Sequence, residues 1–245
     1  MCVRVCVCVC VCVCICVCVC VYICVHCVYV CVCVLLICTK KGYFQWTLSP
    51  FHPQILKEIL QTEEEYVRDI DTILTCFLFP LRASKDALGL TDMEVNKLFA
   101  NIEMLKPLHI KFFDDLQSRF KEEEENARIG DIFISMAVFF RMYMQYCANY
   151  PDAVKLHERH IKNSKKIAKF FETQEANPQC KNLQFVSWII KPVQRLCKYP
   201  LLLRELIAQT PTDHPDYENI KEAKEKIDTV VDDVNERKRM VEQQM

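Results

Sequence analysis

The stretch Lys191-Pro192-Val193-Gln194-Arg195-Leu196-Cys197-Lys198-Tyr199-Pro200-Leu201-Leu202-Leu203-Arg204-Glu205-Leu206 combines a helical apolar rhythm with polar residues that a core does not require. At about 100° per residue, Ile189, Val193, Leu196, Tyr199, Leu203 and Ile207 fall on one side and should pack inward. Ile190, Gln194, Cys197, Lys198, Leu201 and Glu205 form a second stripe beside it. That stripe joins apolar contact area to an amide, an ammonium and a carboxylate, the make-up of a protein-binding face rather than of an interior.

Working outward, the same periodicity runs through residues 51–245, a length suited to one domain with a sizeable core. After residue 50 the only glycines are Gly89 and Gly130, each between long periodic segments where a helix stop or turn is wanted. The fold class expected is all-α, an elongated bundle of about six long helices. The first runs from about Pro53 to Phe79 and is ended by Pro80. A rival start lies at Thr62 with Glu65 as a capping box, although the rhythm upstream of Thr62 speaks against it. The second follows Gly89 with Thr91 or Asp92 as N-cap and a bend at Pro107. The third, about Asp131 to Asn149, is rich in Phe, Met and Tyr and should be central, its aromatics core. Tyr150-Pro151-Asp152 then breaks the chain and opens a fourth helix ending near Asn177-Pro178. The fifth, about Leu183 to Gln209, holds Pro192 and Pro200 and should be irregular. The sixth starts near His214-Pro215-Asp216 and runs toward Gln243.

Three regions in order resemble the signature regions of the Dbl-homology domain, the helical module of guanine nucleotide exchange factors for Rho-family GTPases. Gln61-Thr62-Glu63-Glu64-Glu65-Tyr66-Val67 is similar to the first, with its Thr-Glu pair followed by Tyr-Val. Leu98-Phe99-Ala100-Asn101-Ile102-Glu103 with His109 and Phe112-Phe113 resembles the second. The stretch quoted above, continued by Thr210-Pro211, His214-Pro215 and Val234-Asn235-Glu236, resembles the third. The resemblance spans roughly residues 51–243. It implies a Rho- or Rac-family small GTPase as partner and release of GDP by differential binding, with no bond of the substrate broken. It further implies that Glu63 contacts switch I, that Gln194, Lys198 and Asn235 hold switch II, and that Ile190 and Leu201 tune which GTPase is accepted. Cys197 shares their stripe. Ile190 is somewhat Rac-like. Members of this family commonly continue into a pleckstrin-homology domain, and none is expected within this chain, which leaves membrane contact unresolved.

Taken without the resemblance, each of these side chains has a plainer reading. Lys198 could be a solvated helix lysine, Asn235 a C-terminal cap or surface amide, and Glu63 an intrahelical partner of Arg68 or Lys57. No catalytic residue, metal site or cofactor is expected: no glycine-rich phosphate loop occurs and the histidines lack metal-ligand spacing. His109, His157, His160 and His214 read as surface or capping residues. Setting aside Arg4, Lys40 and Lys41 leaves 28 basic against 32 acidic side chains, a balance that argues against a nucleic-acid partner. A helical interaction scaffold without exchange activity is the alternative function.

Of 18 cysteines, 14 fall within the first 38 residues, alternating there with valine. Residues 1–38 form a low-complexity head, 39–50 a linker, and 51–245 the domain. A run of TG dinucleotides encodes Cys and Val alternately in any frame, so the head suits a translated microsatellite or misplaced gene start. A membrane-spanning or signal-anchor helix is the rival, being long and apolar enough, with metal-thiolate or redox function a third option. Valine at every second place favours extended structure instead. Cys76, Cys147, Cys180 and Cys197 show no CxxC spacing and should be reduced, mostly packed thiols. The expected setting is cytoplasmic, with recruitment to the membrane periphery open.

Overall fold

The computed structural model describes residues 7–10, 16–19, 53–123 and 127–243. The chain divides into two compact units, Met1–Ser49 and Pro50–Met245. In the first, strands β1 (Val7–Cys10) and β2 (Cys16–Val19) pair antiparallel, Val7 opposite Val19 and Cys8 opposite Cys18, the extended backbone that alternating valine favours. The other expectations for residues 1–52, a spanning helix and the connector among them, lie outside the described residues. Among the described residues no helix is long and apolar enough to cross a membrane.

The second unit is a helical bundle. Helix α1 (Pro53–Thr72) buries Ile55, Ile59, Tyr66 and Ile70, spaced four, seven and four apart as one face requires. It runs without a break into a π-helical segment, Ile73–Leu78, and then α2 (Phe79–Leu88). Pro80 therefore does not end the helix. It sits in the first turn of α2, directly after the wider π-helical ring. The stop comes at Gly89, whose φ of 72° belongs to the left-handed region, with the N–H groups of Gly89 and Leu90 returning to the carbonyls of Asp86 and Lys85. Thr91 begins α3 (Asp92–Phe99) with a complete capping box to Glu94. Thr62 begins nothing: it lies inside α1 and its hydroxyl donates to the Glu58 carbonyl at 2.8 Å.

The expected bend at Pro107 is displaced. The chain breaks earlier, at Ala100 (φ 48°), and α4 (Ile102–Glu123) carries Pro107 within it. The next break is also displaced, since α5 (Gly130–Phe140) ends at Arg141-Met142 and α6 (Tyr143–Asn163) passes straight through Pro151. The two breaks lie side by side, joined by Asn101 Nδ2 donating to the Met142 carbonyl at 3.0 Å. The Asn101 side chain at one interruption thus satisfies a backbone carbonyl at the other. Ser164 turns the chain into α7 (Lys165–Glu175), its hydroxyl accepting from the Ile167 N–H. A 3₁₀ turn, Pro178–Cys180, leads to the short α8 (Phe185–Ile189) and then α9 (Lys191–Gln209), with Pro192 in its first turn and Pro200 inside. Helix α10 (Tyr217–Gln243) completes the unit.

Helix α10 packs against α5, α6 and α9, and α1 packs against α4 and α9. The approach of α5 to α10 is close enough that a Cβ on Gly130 would stand 2.6 Å from the Asn219 Cβ. The buried Asp216 carboxylate clips the same corner, its Oδ2 accepting from the N–H groups of Ile129 (2.7 Å) and Gly130 (2.9 Å). Phe133, Met136, Phe140, Tyr143 and Tyr146 are core as expected, whereas Phe139 is 53% exposed. Cys76, Cys147 and Cys180 are buried and Cys197 is exposed, so the expectation of packing fails for Cys197. None of the four forms a disulfide.

Candidate functional site

Helix α9 presents two faces. Leu196, Tyr199 and Leu203 are fully buried as anticipated, joined by Pro192, Leu202 and Leu206, while Val193 and Ile207 are half-buried against the core. On the opposite side Gln194, Cys197 and Leu201 are exposed and Ile190 and Lys198 half-buried, the spacing of four, three, one and three that one helical stripe gives. Lys198 Nζ stands 3.5 Å from Glu58 Oε1 of α1, both side chains nearly half exposed. The stripe therefore adjoins α1. Asn235 is exposed on α10, which flanks α9, next to the buried Val234.

Glu63 is a different matter. Expected on the surface, it is completely buried, and in this arrangement it meets neighbours rather than solvent. Its Oε1 takes a 2.6 Å bond from His109 Nδ1 of α4. Its Oε2 accepts from Arg195 Nη2 (2.6 Å) and Nε (3.2 Å) and from the Tyr199 hydroxyl (2.7 Å). Arg195 also donates to Thr62 Oγ1 at 2.9 Å. Nearby exposed partners are absorbed elsewhere: Arg68, the intrahelical candidate, pairs with Glu64 at 3.2 Å.

The chain of contacts extends further. His109, also fully buried against the expectation of a surface histidine, meets the Tyr143 hydroxyl through Nε2 at 2.7 Å, and Tyr143 meets the Tyr66 hydroxyl at 2.7 Å. A carboxylate only accepts, so Nδ1 of His109 carries a proton. In the neutral ring Nε2 then accepts from Tyr143, which accepts from Tyr66. Four helices, α1, α4, α6 and α9, are stitched by one polar chain whose every atom has a partner. Phe140 stacks on Tyr199 (4.9 Å between centroids) and on the His109 ring (5.8 Å), closing the chain off from water.

Burial pushes the Glu63 carboxyl upward, but His109 and Arg195 outweigh it and hold the group below the usual carboxylate range. Burial likewise opposes the Arg195 charge, yet Tyr199 and Glu63 prevail and raise it. The Tyr66, Tyr143 and Tyr199 hydroxyls are pushed well above the ordinary tyrosine range, chiefly by burial. Glu63 and Arg195 thus form a charged pair, neutral overall, whose Arg195 follows the exposed Gln194 on α9.

The sequence pattern did not single out Arg195, which lies on neither stripe. The available signal was complementarity: Thr62, Glu63, Tyr66, His109 and Tyr199 are polar residues on otherwise apolar faces, and only a buried cation reconciles them. His157 also departs from expectation. It is buried between Phe171 and Phe185, with ring centroids at 4.5 and 4.9 Å, and neither ring nitrogen has a hydrogen-bond partner among the described residues. Burial lowers it to about 4. Among the described residues no group of three or more His, Cys, Asp and Glu is arranged to hold a metal ion.

The RhoGEF domain family matches residues 55–235, and the chain belongs to that family. It is 39% identical over 193 residues to the Myosin-M heavy chain of Dictyostelium discoideum and 33% over 189 residues to the human Spermatogenesis-associated protein 13. The match takes in 78% and 77% of this chain but 11% and 28% of those proteins, so the chain spans only a small part of their length. Guanine exchange factor for Rac 30 of D. discoideum is 33% identical over 190 residues, covering 77% of this chain and 11% of that protein. Among solved structures, the activated truncation of Vav1 superposes with a TM-score of 0.72 at 26% identity, covering 78% of this chain and 48% of that one. The DH/PH domains of PDZ-RhoGEF in complex with human RhoA share the fold, with a TM-score of 0.73 at 23% identity over 78% of this chain and 55% of that one.

Proposed function

We propose that this chain is an exchange module that binds a Rho-family small GTPase and accelerates release of its GDP. The observation that carries this reading is the stripe of exposed Gln194, Cys197 and Leu201 with half-buried Ile190 and Lys198 along α9 of a RhoGEF-family bundle, beside a buried, fully satisfied charge network. An exchange factor speeds nucleotide loss by binding the empty GTPase more tightly than the loaded one, and linkage makes the weakening of nucleotide reciprocal. The chain catalyses exchange without covalent chemistry. Lys198 supplies a cation with a flexible stem for a carboxylate or carbonyl of the GTPase, and binding must draw it from Glu58. Gln194 and Asn235 offer donor and acceptor together, which suits main chain of a refolded loop. Glu63 acts from below the docking face in the free protein, fixing α1 against α9 through Arg195. Ile190 and Leu201 give the apolar contact that discriminates among Rho and Rac proteins.

Release of fluorescent GDP from a panel of Rho, Rac and related GTPases tests the reading, and the full chain should accelerate at least one. Lys198→Ala and Asn235→Ala should each lower the rate at least about tenfold, as expected when an interface charge or a two-bond amide is lost, with the helical circular-dichroism signal unchanged. No acceleration of any GTPase refutes the exchange function and leaves the scaffold alternative.

A further inference from the structure

Charge is segregated on this bundle in a way the docking face does not use. Residues 153–172, the second half of α6 and most of α7, carry Lys155, Arg159, Lys162, Lys165, Lys166 and Lys169 against Glu158 and Glu172. That is a net of +4 on a domain whose 28 basic and 32 acidic groups net −4, leaving −8 for everything else. All six cations are exposed. Lys155, Arg159 and Lys162 recur at spacings of four and three, one stripe of α6, and Ser164 turns the chain so that Lys165 and Lys166 follow at once. Only a loose contact of Lys169 with Glu172, 3.6 Å, joins any of them to an acid in an ion pair among the described residues. Glu94, near Arg159, is already engaged by Thr91 and by His160 at 3.2 Å. Exposed in the middle of the cluster is Ile161.

We propose that this corner of α6 and α7 is a docking surface for an anionic lipid bilayer. The cations are spread along about three turns on flexible stems, which suits a delocalised sheet of headgroup charge. A concavity of about 440 Å³ is lined by Lys155 and Arg159 of this stripe and by Lys97, but Glu94 and Asp152 share it, a mixture of sign that does not select a small anion. Phe171 is buried and Phe170 half-buried against the core, so neither ring stands fully exposed among the cations to stack a base, as single-stranded nucleic acid would use. Ile161 among lysines instead matches the basic rim and apolar tip of an interfacial contact. None of these residues belongs to the docking face on α9 and α10, so a bilayer and a GTPase can be held together.

Co-sedimentation of the full chain with vesicles of phosphatidylcholine, with and without phosphatidylserine, tests the proposal. Each basic residue near an anionic leaflet multiplies partitioning about fivefold, so Lys162→Gln, Lys165→Gln and Lys166→Gln combined should lower binding to the anionic vesicles roughly a hundredfold. A control with the same charge change on α4, Lys111→Gln and Lys121→Gln with Lys106→Gln, should bind as wild type. GDP release from a GTPase in free solution should be the same for wild type and the α6–α7 variant, which separates this surface from the exchange site. Binding that is absent in wild type, that falls equally in the control, or that prefers RNA or an acidic protein to vesicles overturns the proposal.

Discussion

Replacing Arg195 with Met tests the buried network most directly, because methionine keeps an unbranched apolar stem and removes the guanidinium with its charge. Four donor contacts disappear, two to Glu63 and one each to Thr62 and Tyr199. Glu63 then stays in the interior with only His109 and Tyr199, an uncompensated charge. Breaking a buried pair in this way costs about 3–5 kcal/mol, or roughly 10 °C in melting temperature for a domain of this size. The pH dependence should reverse with it. In the wild type the Glu63 carboxyl is held low in the folded state, so its stabilisation is present above the unfolded carboxylate value and is lost as pH falls through the folded one. Without Arg195, burial dominates and raises the carboxyl above its unfolded value, so the variant should lose less stability at about pH 5 than at about pH 7. Urea unfolding followed by far-ultraviolet circular dichroism at both pH values measures each term. A loss below about 1 kcal/mol, the range of an exposed pair, or an equal loss at both pH values would show that the network does not hold a buried ion pair. Glu63→Leu combined with Arg195→Met should recover most of the stability, since an apolar replacement of both partners leaves no buried charge.

His157→Phe should stabilise the domain by about 1–2 kcal/mol in thermal unfolding, because two buried ring nitrogens without partners are replaced by apolar edge. The wild type should also lose stability as pH falls from the ordinary histidine value toward about 4, since the unfolded chain takes up a proton that the folded one refuses. That part of the acid slope should vanish in the variant. Gly130→Ala should destabilise by about 1–3 kcal/mol, its Cβ meeting Asn219 at 2.6 Å with backbone at 2.7 Å behind it. A melting temperature equal to wild type would mean that α5 and α10 part without penalty.

The periodic apolar residues made the all-helical class legible, and the two faces of α9 followed from the same 100° step. The interruptions were less legible, because proline is a one-sided signal. Pro80, Pro107 and Pro151 all lie within helices, at a first turn or where packed neighbours hold both halves. The true breaks, at Ala100 and at Arg141-Met142, carry no breaker at all. They are joined by a tertiary bond from Asn101, which nothing local announces. Of the site, Gln194, Lys198, Leu201 and Asn235 were legible as outward residues. Glu63 was not, since a glutamate in an acidic run reads as solvated until Arg195, 132 positions away, is placed beside it.

The π-helical turn has a consequence for register. Five of its six residues, Ile73, Leu74, Cys76, Phe77 and Leu78, are buried, more than one side of an ordinary helix could turn inward. The wider ring, with the Phe79 N–H reaching back to Leu74, amounts to one surplus residue. Excising a single position there would relax the spiral to its common pitch and leave Phe79–Leu88 at nearly its present rotation about the axis, since five residues at about 100° turn through nearly the angle that six cover in the wider ring. Leu81 would stay in the interior and the Arg82 guanidinium would keep its grip on Glu103, so the extra residue can be lost without unseating α2.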